Sequence, residues 1–461
     1  MNPVILIEFN ELCPSLLDRW MAEGKLPNFK KFHENSDVFV TEADEKEAPN
    51  LEPWIQWYSL HTGVPFRDHQ VFHLTDGPRA TQRDIWQRLL DKNKVVWNCS
   101  SMNTKGLAHE RSVFLPDPWC TSETPFPAEL KDFHRFVASQ VQEYSNADRG
   151  LQLGDVLRFL GFMVGHGLRA KTVMAILRQL LSERRNGGES AWRRATILDK
   201  LLFDVFRHYQ LTRRPDFSTF FANSTAHLQH SYWRCMDPDA FTVKPGGEDI
   251  RKHGDAVLFG YQEMDRLLGD FFQLEEECGA TLVFATALSQ QPFLKYEATG
   301  GQHFYRPRRV EDLLKSLGLA WTELAPVMTH QYVMHFANAA MRNVAEQRLR
   351  AVTVDGVEVF RIEPTNTETS LYFGCKLNQK IASDAQLNLG VGQSATPFFG
   401  VFYRIEEIKS GRHHPDGCFW VKSGRHTQHP QKVSILDIAP TLLGMLQVDE
   451  ADLSGRNLLR A

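Results

Sequence analysis

The apolar positions of this chain come in short unbroken runs that stop abruptly in polar residues. Val4-Ile5-Leu6-Ile7 ends in Glu8-Phe9-Asn10-Glu11 and is followed by the helix-like stretch Pro14–Met21. Thr219-Phe220-Phe221-Ala222 runs into Asn223-Ser224 and then His227 and His230, and Thr281–Thr286 runs into Ser289-Gln290-Gln291. Unbroken apolar runs of this length are expected of strands buried on both faces in a parallel sheet, and α/β proteins place their chemistry where such strands end. Three strand ends far apart in sequence are therefore expected on one edge of one sheet.

The rest of the pattern divides the chain. Residues 1–124 read as the first part of an α/β core. After a loop rich in Glu, Pro and Asn, the spacing predicts a helix from Trp54 that stops at Gly63, a helix over 82–90 and a buried strand over Val95–Cys99. Residues 125–215 carry Leu and Arg at three- and four-residue spacing and are expected as a helical insertion. Their most apolar stretch, Leu157–Leu168, is broken by glycines and too short to span a bilayer, which leaves a buried or a membrane-touching helix. Residues 216–324 return to α/β, with a helix around Tyr261–Phe271. Residues 325–405 alternate like β-structure, with a turn at Asp355-Gly356, and are expected as a smaller α+β subdomain. Residues 406–461 return to the core and end in a capped helix over 434–446. The fold class is α/β: a mostly parallel central sheet flanked by helices, with a helical insertion and a smaller β-containing subdomain.

Composition removes several classes. The 461 residues are 42% hydrophobic and 23% charged, ordinary for a globular chain, and the formal charge of −4 is not that of a general nucleic-acid binder. The seven cysteines (13, 99, 120, 235, 278, 375 and 418) are scattered without a CxxC pair, as in a reducing compartment rather than a disulfide framework or a zinc knuckle. The N-terminus shows no secretory leader pattern and no run of 18 apolar residues appears, so the expectation is a cytoplasmic chain with no transmembrane segment.

Five stretches, in order along the chain, resemble the alkaline phosphatase superfamily, in its type I phosphodiesterase/nucleotide pyrophosphatase branch. They are Leu26-Pro27-Asn28-Phe29, Ser59–Gly63, Gln229–Pro238, Gly411–Gly417 and Asp437–Leu443. The resemblance implies an alkaline-phosphatase-like fold and, in ordinary members, two divalent metals, usually zinc, that clamp a transferring phosphoryl group. This chain departs from that pattern. The first-strand Asp falls on Asn10, and the nucleophile falls near Glu52-Pro53-Trp54, where no Ser or Thr stands. The Asp of an Asp-x-x-x-His pair falls on Ala226 with His230 retained, and a later Asp-His pair falls on Ala287-Leu288. The late His is retained as His413, with His414 beside it. The nucleophile-side metal site is thus lost, and at most one zinc or other divalent cation is implied, on His230 and His413.

The residues themselves offer further chemistry. Two imidazoles need a third ligand to hold zinc, which His227, Glu8 or Asn10 can supply; His227 and His230 share a helix face at three-residue spacing. Strand alternation argues against Glu8, Asn10 and Glu11 all pointing into one site. Glu52 stands at a predicted helix start, either as a dipole partner or as base or nucleophile. Asn10, His227, Ser289 and Gln290 are neutral groups suited to orienting a hydroxyl-rich ligand, and Trp54 offers an aromatic face. Arg306, Arg308 and Arg309 suit a phosphate or carboxylate, or form a solvated basic loop.

The reading that follows is a divergent hydrolase or transferase acting on a phospho- or glycosyl-linked, polyhydroxylated small molecule or carbohydrate, with Glu52, His230 and His413 as the catalytic residues. His230 and His413 would be metal ligands or, if no metal binds, acid and electrophile; the alternatives are a non-catalytic binder of a glycan, nucleotide sugar or partner enzyme, and an ordinary metal-dependent phosphodiesterase. Oligomeric state is not legible.

Overall fold

The structure is a computed structural model that describes residues 2–120, 122–143, 153–299, 301–327, 331–363, 365, 367–390, 392, 394–405, 409–448 and 452–460. The chain forms two compact units, the larger from Met1–Val137, Leu153–Phe293 and Ser410–Ala461, the smaller mainly from Leu294–Lys409.

The larger unit is built on the apolar runs. They form β1 (Val4–Phe9), β2 (Ser36–Glu42), β3 (Val96–Cys99), β4 (Ser112–Leu115), β5 (Phe217–Ala222) and β6 (Thr281–Ala285). With Asp416–Lys422 and the short strands Thr427–Gln428 and Val433–Ser434 these make a nine-stranded sheet. Its order is 427–428, β2, 416–422, β6, β1, β5, β3, β4, with 433–434 also on β2. All pairings are parallel except those of strand 416–422 with β2 and β6. The sheet is therefore mostly parallel and flanked by helices, as expected. All six residues of β1 are buried, because β5 and β6 pair with it on both sides and helices cover both faces. Gly417 has to be glycine, since a Cβ there would fall 2.5 Å from the Thr286 carbonyl oxygen.

The expected helix at 54–63 is Pro53–Thr62, ended by Gly63 at φ 66°. The 82–90 helix begins at Asp84, whose carboxylate accepts from the Gln87 amide in a capping box. Residues 153–213 contain the helices Leu153–Gly165, Ala170–Arg185 and Ala195–Arg213. The last packs on Ala256–Cys278 through Phe203 and Phe271, with ring centroids 4.8 Å apart. Helix Leu153–Gly165 is only half buried. Phe159 stacks on Phe136 at 3.9 Å, while Leu157, Leu160 and Val164 face outward.

In the smaller unit, Thr353–Val354 and Val357–Glu358 form the expected hairpin around Asp355 and Gly356, both at positive φ. The alternating run does not continue as one strand: Phe360–Glu363 pairs with Ser370–Cys375 in another sheet. Arg306 is not on a solvated loop. It lies buried in the strand Phe304–Pro307, and its Nε donates to the Tyr332 hydroxyl at 2.7 Å.

One buried acid ties the helical segment to the sheet. The Ser224 hydroxyl, at the start of helix Ser224–Met236, donates to Asp199 on helix Ala195–Arg213. Burial pushes the Asp199 carboxyl up to about 7, against the lowering effects of Ser224 and Lys200. The folded state therefore holds a proton that the unfolded chain releases near its ordinary carboxyl pKa, and stability falls as pH rises from about 4 toward 7. Asp199→Asn should remove that penalty. Denaturant melts of both proteins at pH 5 and pH 8 should show the variant gaining on the wild type at the higher pH; parallel losses in both would remove Asp199 from this role.

Candidate metal centre and active site

The site starts where β1 stops pairing. Phe9 lies opposite Ala222, and the Asn10 amide still donates to the Ala222 carbonyl at 2.9 Å. Beyond it the backbone turns, and Glu11 takes φ 62°, a left-handed conformation that a non-glycine residue adopts only under constraint. That turn aims the Glu11 carboxylate over the strand ends, where it is 2% exposed.

Its partners come from four regions. Asn10 Nδ2 donates to Glu11 Oε1 at 2.8 Å and to Asn223 Oδ1, just past β5, at 2.7 Å. Asn10 Oδ1 accepts from Trp57 Nε1 at 2.7 Å. Gln290 Nε2 donates to Glu11 Oε2 at 2.5 Å and to the Ala226 carbonyl at 3.0 Å. The Glu11 carbonyl accepts from Gln229 Nε2 at 2.9 Å, and Gln229 Oε1 accepts from the Tyr261 hydroxyl at 2.6 Å. Cys13 lies beside this network as a buried thiol, pushed up to about 12 by burial.

The two histidines approach the same oxygen. His230 Nε2 lies 3.1 Å and His413 Nε2 3.6 Å from Glu11 Oε2, and the rings are 5.2 Å apart between centroids. His230 Nδ1 is 2.9 Å from the Gly411 carbonyl and His413 Nδ1 is 2.8 Å from the Leu51 carbonyl. A carbonyl only accepts, so Nδ1 of each ring carries a proton, and each Nε2 faces the carboxylate. Burial alone would raise the Glu11 carboxyl, but the charges of His413 and His230 and hydrogen bonds from His230 and Gln290 hold it down at about 2.

The framework around these contacts is specific. Gln290 lies on β7 (Ser289–Pro292), which pairs antiparallel with Gly411–His414 so that Gln290 sits opposite His413 and Ser289 opposite His414. Residues 289–291 thus belong to a strand. A Cβ on Gly411 would fall 2.4 Å from Gln290 Oε1 and 3.0 Å from the Gln229 carbonyl oxygen, so only glycine lets the strand approach.

Among the described residues, Glu11, His230 and His413 form one group whose ligand atoms lie within 4.8 Å of one another. Two ligands of a tetrahedral zinc, each roughly 2.0–2.1 Å away, are about 3.4 Å apart. The observed 3.1 and 3.6 Å bracket that value. Two imidazole nitrogens and one carboxylate oxygen are also a donor set of catalytic zinc sites, and backbone carbonyls holding Nδ1 are the usual outer partners of metal-bound histidine. The residues present fit a single divalent cation.

The residue grouped with His230 and His413 is Glu11, and not Glu8, Asn10 or His227. Glu8 lies inside β1 and turns to another pocket, where its carboxylate meets His61 Nε2 at 2.7 Å and Ser101 Oγ at 2.8 Å. Asn10 braces Glu11, and His227 lies one turn before His230 on helix Ser224–Met236, outside the group. Glu52 comes close: its Oε2 is 3.4 Å from His413 Nδ1, and it makes no capping bond to helix Pro53–Thr62. Trp54 Nε1 donates to the Phe72 carbonyl at 2.8 Å. Asn10, Ser289 and Gln290 are buried, with Asn10 and Gln290 committed to fixing Glu11; the side chains of His230, His413 and Glu52 are 21, 16 and 28% exposed and form the open side.

No family model matches the chain, and no curated protein matches it. Solved structures of similar course include wild-type alkaline phosphatase PafA, at TM-score 0.47 and 12% identity over 99% of this chain and 98% of that one. Phosphonoacetate hydrolase from Sinorhizobium meliloti 1021, in complex with phosphonoformate, gives TM-score 0.43 and 15% identity over 95% and 94%. Murine ectonucleotide pyrophosphatase/phosphodiesterase 5 gives TM-score 0.42 and 8% identity over 98% and 97%.

Glu11→Gln keeps the shape of the side chain and removes its charge. It should lower zinc content from about one equivalent to about half or less, since loss of one anionic ligand from a three-residue site costs at least about tenfold in affinity. Elemental analysis of the two proteins after dialysis checks this, with circular dichroism to confirm the fold. Equal zinc in both would move the cation elsewhere.

Proposed function

We propose that this chain is a divergent alkaline-phosphatase-type hydrolase or transferase that uses one divalent cation, held by Glu11, His230 and His413, to act on a phospho-linked substrate. The observation that carries this is the convergence of both histidine Nε2 atoms on one buried carboxylate oxygen. The sequence resemblance places a carboxylate at 226, where this chain has Ala226; Glu11 supplies the charge from the first strand instead.

Charge favours phosphate over a neutral glycoside. One carboxylate and two neutral imidazoles leave a bound dication with a net positive charge, which attracts an anionic group. When bound, the cation supplies a Lewis acid that polarises a phosphoryl oxygen. The protein's own contributions are positional. Asn10 and Gln290 fix Glu11, the Gly411 and Leu51 carbonyls fix the imidazoles, and substrate enters from the side where His230, His413 and Glu52 are exposed. Glu52 takes the proton of the attacking hydroxyl or water. The hydroxyl-rich moiety expected from Asn10, Ser289 and Gln290 loses its motive, because those groups are buried, with the two amides committed to Glu11. We place the chain in the cytoplasm on the strength of its seven unpaired cysteines.

A second reading is favoured by the same oxygen. Oε2 already receives Gln290 and faces His230 at 3.1 Å, as in a cation-free ion pair of a non-catalytic binder. That reading requires ligands that raise the melting temperature without turnover, and no bound metal.

Glu52→Gln separates the outcomes. With Glu52 as proton acceptor, turnover should fall by at least about 10²-fold on whichever aryl phosphate monoester or diester is cleaved, while zinc content is kept. Steady-state rates and metal analysis on the same two samples check this. Full turnover in the variant would refute the role, and cleavage of aryl glycosides alone would refute the phospho-linked substrate.

A further inference from the structure

The helices Leu153–Gly165 and Ala170–Arg185 each carry an exposed apolar stripe that the proposed chemistry does not use. Among the described residues fifteen large hydrophobic side chains are exposed, and eight of them lie here: Leu157, Leu160, Val164, Val173, Met174, Leu177, Leu180 and Leu181. Their exposure runs from 38 to 75%. They are not scattered. Positions 157, 160 and 164 form one stripe of the first helix, and 173, 174, 177, 180 and 181 form one stripe of the second. The opposite side of the first helix is anchored by Phe159 and Phe162 against Phe133. The second helix packs against Ala195–Arg213.

Charge says what this surface meets. Residues 153–185 contain six cationic side chains (Arg158, Arg169, Lys171, Arg178, Arg184, Arg185) and two acidic ones (Asp155, Glu183), a net of +4 within a chain of −4. The two acids are held by Arg158 and Arg194, and Arg169 and Lys171 are held by Asp204 and Asp270. The remaining cations, Arg178, Arg184 and Arg185, are exposed, with Arg178 directly beside Leu177 and one turn from Met174 and Leu181. An apolar stripe flanked by arginines, with its two carboxylates each paired to an arginine, is the pattern of a helix that lies in the headgroup region of an anionic bilayer. Neither helix crosses it. At 1.5 Å per residue the longer one covers about 24 Å, less than the roughly 30 Å hydrocarbon core, and no helix among the described residues is long and apolar enough to span.

We propose that the 153–185 helices dock this protein on an anionic lipid surface, with Leu157, Leu160, Leu177 and Leu181 entering the interface and Arg178, Arg184 and Arg185 meeting the headgroups.

The test is co-sedimentation of the full chain with vesicles of phosphatidylcholine alone or with 30 mol% phosphatidylserine, in about 0.1 M salt. Binding is expected to the anionic vesicles and to weaken at 0.5 M salt, where the Debye length is about half that at 0.1 M. Replacing Leu157, Leu160, Leu177 and Leu181 together by Gln should abolish it. Arg178→Glu with Arg184→Glu should weaken it by at least about 25-fold, about fivefold for each cation removed. These residues are exposed, so melting temperatures should hold. Absence of binding by the wild type, equal binding to both vesicle types, or undiminished binding by the leucine variant would overturn the proposal. A concentration-dependent dimer that the leucine variant loses, with no vesicle binding, would assign the surface to a second copy of the chain instead.

Discussion

A single buried carboxylate, Glu11, sets the terms for the strand ends around it. Its backbone is left-handed, which costs a non-glycine residue roughly 1–2 kcal/mol, and its charge is out of water, which costs several kcal/mol more unless paired. Both costs are offset by groups from distant parts of the sequence. Asn10 and Gln290 donate to the carboxylate, Gln229 holds its carbonyl, and His230 and His413 face its oxygen. Residues 11, 230, 290 and 413 meet only if β1, β5, β6, the 224–236 helix and the 411–414 strand are all in place. The carboxylate thus makes tertiary structure a condition of the site. Removing a partner would leave buried charge uncompensated, which is far more costly than removing an exposed pair.

How much of this was legible follows from which physical signals are local. The sheet was legible because β1, β5 and β6 are unbroken apolar runs, and such runs have few other ways to be buried. The end of helix Pro53–Thr62 was legible in Gly63, since only glycine takes φ 66° there without strain. His230 and His413 were legible through the motifs around them. Glu11 was not. Period-two alternation sorts side chains only while the backbone stays extended, and Glu11 stands just past the strand in a conformation that alternation does not describe. An acidic residue two positions beyond a buried strand was the available signal. The polarity of Ser289-Gln290-Gln291 points in the sequence to a hydroxyl-rich ligand, but in the structure it serves Glu11 and the 411–414 strand, a contact 279 residues away along the chain for Gln290 and Glu11. The Leu157–Leu168 run was read by its mean apolarity, whereas its sidedness decides its fate: Phe159 and Phe162 bury one face and leave the other exposed.

The two glutamates at the end of the first strand, Glu8 within it and Glu11 just past it, differ in their access to solvent. Glu8 and Glu11 are three residues apart and both buried, and each carboxylate faces an imidazole, His61 at 2.7 Å and His230 at 3.1 Å. The two pockets are joined through Trp57, which stacks on His61 at 5.6 Å and donates to Asn10. Solvent distinguishes them. Glu8 and His61 are sealed, with Ser101 and the sheet closing around the carboxylate. A closed pair of this kind holds the end of β1 to helix Pro53–Thr62, and a substrate has no path to it. At Glu11 the imidazole edges remain partly open and a further carboxylate, Glu52, stands beside His413. The same Glu–His pairing is therefore sealed one layer below the strand ends and partly open to solvent at them. The layer is chosen by the turn at Glu11, which lifts its carboxylate out of the sheet and toward the side that water reaches.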